Sequence, residues 1–251
     1  MKHVAPVVTL FVMLTSTARA DVSTTVVVPS LADATIYESS EPVNLLANGR
    51  GSGFFAGRTG QSNNSIRRGL IRFDLANRLP AGVTITNVTI RLWQGSSNAA
   101  PETVTVHRLL ESWDEGLSVA AGNGGSGTPA LPADVTWFHQ ALGSFFWTTP
   151  GGTFQSTPSA QAVVAGDGFW EWTSPTLVQD VERFRTRPVD NTGWIFLGNE
   201  SEGGTSKRFA SREEPDSNLR PQLIITYLPT PASVAALAPI LLVGATRRRT
   251  P

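Results

Sequence analysis

The sequence predicts an all-β domain of the sandwich or barrel type. Short runs of β-branched and aromatic residues alternate with turn residues along most of the chain, which is typical of these architectures. Several runs also alternate apolar and polar residues with a period of two, the pattern of a strand with one buried face. Only residues 174–187 have helical periodicity, so we expect a single short helix.

Period-two alternation decides which strand residues point outward. The predicted strands are residues 24–28, 34–37, 69–75, 84–94, 103–110, 135–139, 168–173, 193–198, 207–211 and 222–227. Within GLIRFDL, NVTIRLWQ and TVTVHRLL, alternation directs Arg72, Arg91, Trp93 and His107 away from the core. The runs WIFLG and LIITY are apolar on both faces, so we expect central strands covered on both sides.

The helical segment follows Ser174, which suits the N-cap, and begins with Pro175, which suits the first helical position. Pro188 ends it. We expect a structural helix that packs on the sandwich through one apolar stripe, formed by Leu177, Val178, Val181 and Phe184. The Gly-, Ser- and Pro-rich residues 116–132 predict a mobile loop.

The N-terminus has the three parts of a secretory signal peptide. These are the basic Lys2, a short apolar run and an A-x-A pattern at residues 18–20. The pattern predicts removal of residues 1–20 and one domain spanning residues 21–228. We therefore expect an exported protein, located outside the cell or at its surface.

Residues 229–251 combine a Pro-x-Pro motif, a short apolar stretch and three arginines. The stretch falls below the roughly 17 to 25 residues of a spanning helix, and Pro239 interrupts it. The segment resembles a PEP-CTERM sorting tail, although Thr230 replaces the usual acidic residue between the prolines. The resemblance implies transient membrane association and a sorting protease of the exosortase type as partner. Cleavage and retention of the tail both stay open.

Composition excludes several classes of function. There is no cysteine, which excludes disulfides, thiolate catalysis and cysteine-ligated zinc. The signal and tail hold five basic residues and no acidic one, which leaves 15 basic against 20 acidic residues in the predicted domain. Because this domain is acidic and has no basic cluster, we expect no nucleic-acid partner.

Several motifs occur in the order and spacing of one known family. They are ADATIY (32–37), RGLIRFDL (68–75), VTITNVTIRLW (83–93), VTVHRLLESWDEG (104–116), VTW (135–137), W-x-W with LVQDV up to residue 181, GWIFLGNE (193–200), and KRFASRE with RPQLIITY. The chain resembles the DNRLRE domain family, which is related to disaggregatase repeats and family 96 carbohydrate-binding modules. The resemblance implies a jelly-roll β-sandwich with an extracellular, polysaccharide-associated role. A long gap after SWDEG and the segment TPGGTFQST depart from the family pattern.

The sequence offers few catalytic combinations. The predicted domain has only His107 and His139 as histidines and lacks a G-x-S-x-G turn, so neither a lyase nor a serine hydrolase is indicated. Paired acids, which glycoside hydrolysis requires, occur at residues 114–115, 213–214, and 200 with 202. We interpret these pairs as solvated loop charges and expect no catalytic residues and no enzyme activity.

We also expect no cofactor, with one alternative left open. Jelly-roll binding modules often hold a structural calcium ion through carboxylates and backbone carbonyls. Its candidate ligands are Asp33, Glu38 and Glu41, or Asp114 and Glu115. No spaced Asp/Asn loop motif selects either set.

Aromatic rings and planar polar groups are the remaining binding signal, because sugars stack on rings. We interpret Trp113, Trp137 and Trp172 as core residues. Trp93, outward on its strand, and Trp147, in a turn-rich loop, are the expected platforms.

Arg72, Arg91 and His107 extend this candidate ligand-binding set, on the expectation that they share an outer face with Trp93. Guanidinium groups bind carboxylates through two parallel hydrogen bonds, so the expected partner is an extracellular, acidic polysaccharide such as alginate, the ligand type that the resemblance implies. Alternatively, Arg72 and Arg91 pair with neighbouring acids and only make the sheet soluble.

Together these features predict an exported, non-catalytic protein of the cell surface or extracellular matrix that binds polysaccharide. Two alternatives stay open. A polysaccharide depolymerase or lyase would need a cleft in which two carboxylates, or a histidine and a tyrosine, face each other. A structural coat protein would have clustered surface residues without a groove.

Overall fold

The structure, a computed structural model, describes residues 22–98 and 100–229. Its described part contains one α-helix, α1 (Pro175–Thr186), and confirms the all-β class. The strands are β1 (Thr24–Tyr37), β2 (Leu46–Asn48), β3 (Gly53–Arg58), β4 (Ile66–Phe73), β5 (Thr84–Gln94), β6 (Glu102–Arg108), β7 (Thr128–Pro129), β8 (His139–Ala141), β9 (Phe145–Phe146), β10 (Ala160–Val164), β11 (Gly168–Thr173), β12 (Trp194–Leu197), β13 (Lys207–Ala210) and β14 (Gln222–Leu228). The predicted signal peptide, residues 1–20, and the predicted tail from residue 230 onward lie outside the described residues.

The strands form two layers that two strands join. The front layer contains β5, β11, β13 and β14, and the back layer contains β4, β6, β10 and β12. β1 pairs with β14 of the front layer through residues 24–29 and with β4 of the back layer through residues 30–37. β3 likewise pairs with both β13 and β4. The chain β1–β14–β5–β13–β3–β4 therefore closes into a ring, which supports the all-β class but does not by itself define a jelly roll.

The inner faces of the two layers form the main core. Its largest side chains are fully buried and include Phe54, Phe73, Trp172, Trp194, Phe196 and Phe209. The rings of Trp172 and Phe196 meet edge to face with centroids 5.2 Å apart, and Trp172 Nε1 donates to the Val104 carbonyl at 2.9 Å. Burial of each such ring contributes about 1.5 to 3 kcal/mol. The prediction of Trp172 as core is confirmed.

A second core covers the outer face of the back layer. Ala34 and Ile36 of β1, Leu70 of β4 and Ile195 of β12 contribute its sheet side. Residues 109–158 run across this face and supply the covering side chains, among them Trp113, Val135, Trp137 and Trp147. The prediction that WIFLG is buried on both sides is confirmed, because Trp194 and Phe196 enter the main core and Ile195 enters the second.

The glycine-rich loop, predicted as mobile, packs over one end of the ring. Three buried side chains hydrogen-bond its backbone carbonyls: Tyr37 Oη to Gly124 at 2.6 Å, Arg67 Nε to Gly125 at 3.1 Å, and Arg208 Nε to Asn123 at 3.2 Å. The loop is thus anchored at its middle.

The prediction of a strand at residues 135–139 is wrong. Residues 135–136 are irregular and the chain bends at residues 137–138, where the Thr136 N–H donates to the His139 carbonyl at 2.9 Å; of the predicted strand, only His139 enters a strand. The β-rich composition of the run reflects burial in the second core.

The helix prediction is confirmed at both ends. Ser174 Oγ accepts a hydrogen bond from the Leu177 N–H at 3.0 Å, and Pro175 occupies the first helical position. Leu177, Val181 and Phe184 are buried in the main core. The helix therefore closes one side of the main core.

We expect Gly193→Ala to cost roughly 2 to 4 kcal/mol of unfolding free energy. Gly193 has a φ of +78°, and a Cβ there would lie 2.1 Å from the Ile71 carbonyl oxygen. Gly204 is a matched control, since its φ is +82° and nothing lies within 4 Å of its added Cβ; Gly204→Ala should cost only about 1 kcal/mol. Unfolding in urea measures the stability loss of both variants. Equal losses would contradict the close approach of the Gly193 backbone to the Ile71 carbonyl of β4.

Candidate functional site

The sequence-predicted site residues do not share one surface. Arg91 and Trp93 lie on β5 of the front layer, whereas Arg72 and His107 lie on β4 and β6 of the back layer. Trp147 belongs to the segment that covers the back layer. The predicted single binding face is therefore wrong. Alternation gives the side of a strand, but strand pairing decides which layer that strand joins.

Arg91 and Trp93 contribute to an open surface on the front layer. In the β5–β11 pairing, Trp93 stands opposite Phe169 and Arg91 opposite Glu171. The Trp93 and Phe169 rings meet edge to face with centroids 5.1 Å apart, and the Arg91 guanidinium carbon lies 3.8 Å from the Phe169 centroid. We call these four residues the β5–β11 surface.

The Arg91 guanidinium has only weak polar partners. Its Nε lies 3.6 Å from Glu171 Oε1, too far for a hydrogen bond, and its Nη1 donates to Gln222 Oε1 at 3.5 Å. Nε makes no hydrogen bond within the described part of the chain. Arg91 therefore does pair with an acid on the neighbouring strand, as the alternative prediction stated. An exposed ion pair such as Arg91–Glu171 contributes at most about 1 kcal/mol to stability. A ligand carboxylate can replace it at small cost.

His107 points to the outer side of β6, as predicted, but it is buried beneath residues 154–155. Its Nδ1 and the Gln155 carbonyl oxygen are 2.8 Å apart, and its ring meets Phe154 edge to face at 5.2 Å. Burial lowers the pKa of His107, and the nearby Arg68 charge lowers it further. His107 therefore serves packing, and a ligand at the surface does not reach it.

The prediction that Trp147 is an exposed platform for a sugar is wrong. The side chain is 4% exposed in the second core, and its Nε1 donates to the Thr136 carbonyl at 3.0 Å. Turn residues around Trp147 suggested a surface loop, but residues 109–158 fold back onto the sheet. Trp113 and Trp137 are buried, as predicted.

Arg72 lies outward on β4 and is partly covered by Trp113. Its guanidinium carbon is 5.3 Å from the Trp113 ring centroid, and its Nη1 donates to the Trp113 carbonyl at 3.4 Å. Burial lowers the pKa of Arg72, while Asp114 and Glu115 act in the opposite direction. Asp74, the acid that alternation places beside it, pairs with Arg78 at 3.0 Å instead.

Three of the family-like motifs meet where β1 changes layers. Asp33 of ADATIY donates its N–H to Glu115 Oε1 at 2.9 Å, and the Arg212 N–H donates to Asp33 Oδ2 at 2.9 Å. The Arg212 guanidinium binds both oxygens of Glu115, at 2.7 and 2.6 Å, and lies 3.0 Å from Glu213 Oε1. We call these four residues the acid junction. Sequence reasoning missed Arg212 and interpreted Glu213 as a solvated loop charge, although both belong to the family-like run KRFASRE.

The acid junction contains the residues that could hold a metal ion. Carboxylate oxygens of Asp33, Glu115 and Glu213 lie within 4.8 Å of one another, a spacing that one Ca²⁺ with oxygen ligands at about 2.3 to 2.6 Å can span. Arg212 already supplies a positive charge to the same carboxylates, so a cation competes with it. Of the other two calcium ligands predicted near β1, Glu38 accepts the Ile66 N–H at 3.0 Å instead, and Glu41 is exposed.

Burial and repulsion between neighbouring carboxylates raise the pKa values of Asp33 and Glu213 in the acid junction. The pKa of Asp33, which is 1% exposed, is raised well above its usual value by burial and then by the charge of Glu213. Burial and the charge of Glu115 raise the pKa of Glu213. Hydrogen bonding to Glu115 is the main cause that raises the pKa of Arg212. Arg212 is thus the group that holds these acids together.

Other acids predicted to be solvated loop charges also make internal ion pairs. Glu200 accepts two hydrogen bonds from Arg68, at 2.8 and 2.9 Å, and its side chain is 23% exposed. Glu115 has a side chain only 11% exposed. Both carboxylates pair with an arginine, and so does Glu213, whose side chain is 22% exposed. The interpretation as solvated loop charges is therefore wrong for these three residues.

A comparison with known families found no matching family, and a comparison with curated proteins found no matching protein. Within residues 22–98 and 100–229, no helix is both long and apolar enough to cross a membrane.

We expect Arg212→Met to destabilise the protein by roughly 2 to 4 kcal/mol at neutral pH, because it removes the guanidinium that pairs with Glu115 and Glu213 beside the buried Asp33. The loss should shrink near pH 5, where Asp33 and Glu213 take up protons more easily in the variant. Arg50→Met is the control, since Arg50 is 48% exposed and its Nε lies 4.0 Å from Glu115. Unfolding measured at both pH values tests this, and a pH-independent loss would contradict the role of Arg212.

The lowered pKa of His107 predicts how its contribution to stability depends on pH. Because the folded-state pKa is lowered, His107 contributes stability above its unfolded pKa of about 6.5, and this contribution is lost as pH falls below that value. We expect the difference in unfolding free energy between wild type and His107→Gln to decrease from about pH 7.5 to about pH 5.5. The raised pKa values of Asp33 and Glu213 act in the opposite direction in both proteins and cancel in this difference. A difference that grows on acidification would show that His107 is protonated in the fold.

Proposed function

We propose that this protein is an exported, non-catalytic protein of the cell surface or extracellular matrix, with a jelly-roll type sandwich that binds polysaccharide. The β5–β11 surface is the proposed contact. The observation that carries this proposal is the juxtaposition of Trp93, Phe169 and a weakly paired Arg91 on an open sheet face. The family-like motifs, the signal peptide and the sorting tail of the sequence support the same conclusion.

The chemistry of the β5–β11 surface suits an acidic sugar chain. Aromatic rings provide apolar area for the C–H faces of sugars, while the Arg91 guanidinium offers paired N–H donors to a carboxylate. The ion pair with Glu171 is long and exposed, so its replacement by a sugar carboxylate costs little. Glu171 itself repels an anion, which limits affinity and sets the direction in which a carboxylate approaches.

A polysaccharide-degrading enzyme is the second candidate, and the acid junction is the observation that favours it. A buried acid of raised pKa beside a second carboxylate is the arrangement of glycoside hydrolases. Two features weigh against this candidate. Asp33 is 1% exposed, so substrate does not reach it, and Arg212 occupies both oxygens of Glu115. A structural coat protein without a discrete ligand is the third candidate.

We expect Trp93→Ala to weaken binding to alginate by roughly 1 to 3 kcal/mol, the contribution of one buried aromatic side chain, and to leave the melting temperature nearly unchanged. Arg91→Gln should weaken binding about tenfold or more, because it removes a charged hydrogen bond. Calorimetric titration of the purified protein measures both. Release of reducing or unsaturated ends from the polymer, followed in parallel, would favour the enzyme.

Two control variants make the binding test specific. Phe146→Ala removes an exposed ring, 62% accessible, from the separate β8–β9 hairpin, and Arg187→Gln removes an arginine that is 63% exposed beyond α1. Neither should alter binding. Equal losses of affinity in a control and in its counterpart on the β5–β11 surface would contradict the proposed site. A fall in melting temperature for Trp93→Ala would show that the Trp93 ring belongs to the core.

A further inference from the structure

We propose that the β5–β11 surface continues into a groove beside the first turn of α1, and that this groove takes an N-acetylated sugar of the same polysaccharide chain. The groove measures about 540 Å³ and is lined by residues 86–87 of β5, residues 173–175 at the end of β11, and Val178 and Gln179 of α1. We call it the α1 groove. The inference rests on the proposed function and names the class of polymer, an acidic polysaccharide that contains both uronates and N-acetylated sugars.

The α1 groove lies on the same face of the front layer as the β5–β11 surface. Thr173 follows Glu171 on β11 by two positions, and Asn87 precedes Arg91 on β5 by four. Side chains two positions apart along a strand point to one side, and the pairing of β5 with β11 and β14 is regular between these residues. The rise of a strand places Asn87 about 13 Å from Arg91. One oligosaccharide therefore reaches both residues, whereas a single sugar does not.

A bulge in β5 adds a polar side chain to the α1 groove. Thr226 of β14 pairs with Asn87, and the next residue, Tyr227, pairs with Ile85, so Thr86 has no partner in this pairing. Both Thr86 and Asn87 are consequently exposed, whereas regular alternation would expose only one of them. Bulges of this kind redirect side chains and are frequent next to functional sites.

Two exposed side-chain amides of the α1 groove keep the capacity to bind a ligand. Asn87 Nδ2 donates to Thr89 Oγ1 at 3.1 Å, and Asn87 Oδ1 accepts from Thr173 Oγ1 at 3.0 Å. These bonds hold the amide in place, and because an amide nitrogen has two N–H donors, one of them remains for a ligand. The side chain of Gln179 is exposed and makes no hydrogen bond with any residue from 22 to 98 or from 100 to 229.

An acetamido group matches the chemistry of this lining. Its N–H and its carbonyl oxygen are complementary to the acceptor and the donors of a side-chain amide. Its methyl group has apolar surface to lie against, which Pro175 and Val178 supply. Val178 is partly buried against the main core, so this apolar wall is fixed before a ligand binds, which favours affinity.

The α1 groove does not suit a second carboxylate. All of its lining side chains are uncharged, and the largely exposed Glu171 beside it repels anions. A carboxylate in the groove would lose hydration without gaining a cation. Arg91 is the cation that receives a uronate on the β5–β11 surface, so the combined face selects a chain with both acidic and uncharged sugars.

The test is calorimetric titration of the full chain with three hexasaccharides. Hyaluronan alternates glucuronate with N-acetylglucosamine, alginate contains only uronates, and chitin contains only N-acetylglucosamine. We expect the hyaluronan hexasaccharide to bind at least about tenfold more tightly than either of the others, because it alone offers both groups. Gln179→Ala should weaken hyaluronan binding about threefold or more and leave alginate binding unchanged. Its melting temperature should not fall, since alanine favours the helix.

Gln161→Ala is the matched control, because Gln161 is an exposed glutamine on β10 of the back layer. Equal affinities of wild type for hyaluronan and alginate, or equal losses in Gln179→Ala and Gln161→Ala, would overturn the α1 groove. Chitin that binds as tightly as hyaluronan would show that the chain does not engage Arg91, and would overturn the shared face.

The same titrations separate this inference from the proposed function. Alginate binding that Trp93→Ala and Arg91→Gln weaken keeps the β5–β11 surface even where the α1 groove fails. If none of the three hexasaccharides binds to wild type, the proposed function fails and the α1 groove fails with it. If Gln179→Ala lowers stability, the comparison of hyaluronan with alginate on wild type still decides.

Discussion

The passage of β1 from the front layer to the back layer is the constraint on which the other features depend. Its register shifts between Ser30 and Ala32, directly after Pro29, where the pairing with β14 ends and the pairing with β4 takes over. The crossing closes the ring, and the small side chains after it leave room for the second core. It also places Asp33 next to Glu115 and Arg212, so the acid junction ties the crossing to two distant segments.

The segment that covers the back layer decides which surface stays available for binding. Residues 109–158 bury the back face under Trp113, Trp137 and Trp147, and this cover also buries His107. Within residues 22–98 and 100–229, no such segment covers the β5–β11 surface, and the side chains of Arg91 and Glu171 are 33% and 56% exposed. Because one face is used for packing, the proposed contact with polysaccharide falls to the other.

Arginines and a lysine fill different roles according to their partners. Arg67, Lys207 and Arg208 are buried, and backbone carbonyls accept their hydrogen bonds, including those of Asn98 and Ala100 for Lys207. These cations anchor loops at the end of the ring. Arg91 and Arg72 each keep an Nε without a hydrogen-bond partner in the described part of the chain. Of these two arginines, Arg91 is the one that we propose to bind ligand, whereas Arg72 packs against Trp113.

Local patterns in the sequence determined the all-β class, the limits of β5 and β11 and the capped helix, because each follows from neighbours along the chain. The burial of Trp172 was expected from its place in a family-like motif. Short strands such as β2 and β3 had no clear alternation and were missed. Only the tertiary structure decided that Arg72 and Arg91 lie on different layers, that Trp147 is core, and that Asp33 and Glu115 meet Arg212. Those outcomes depend on pairing between residues far apart in sequence, which alternation within a strand does not encode.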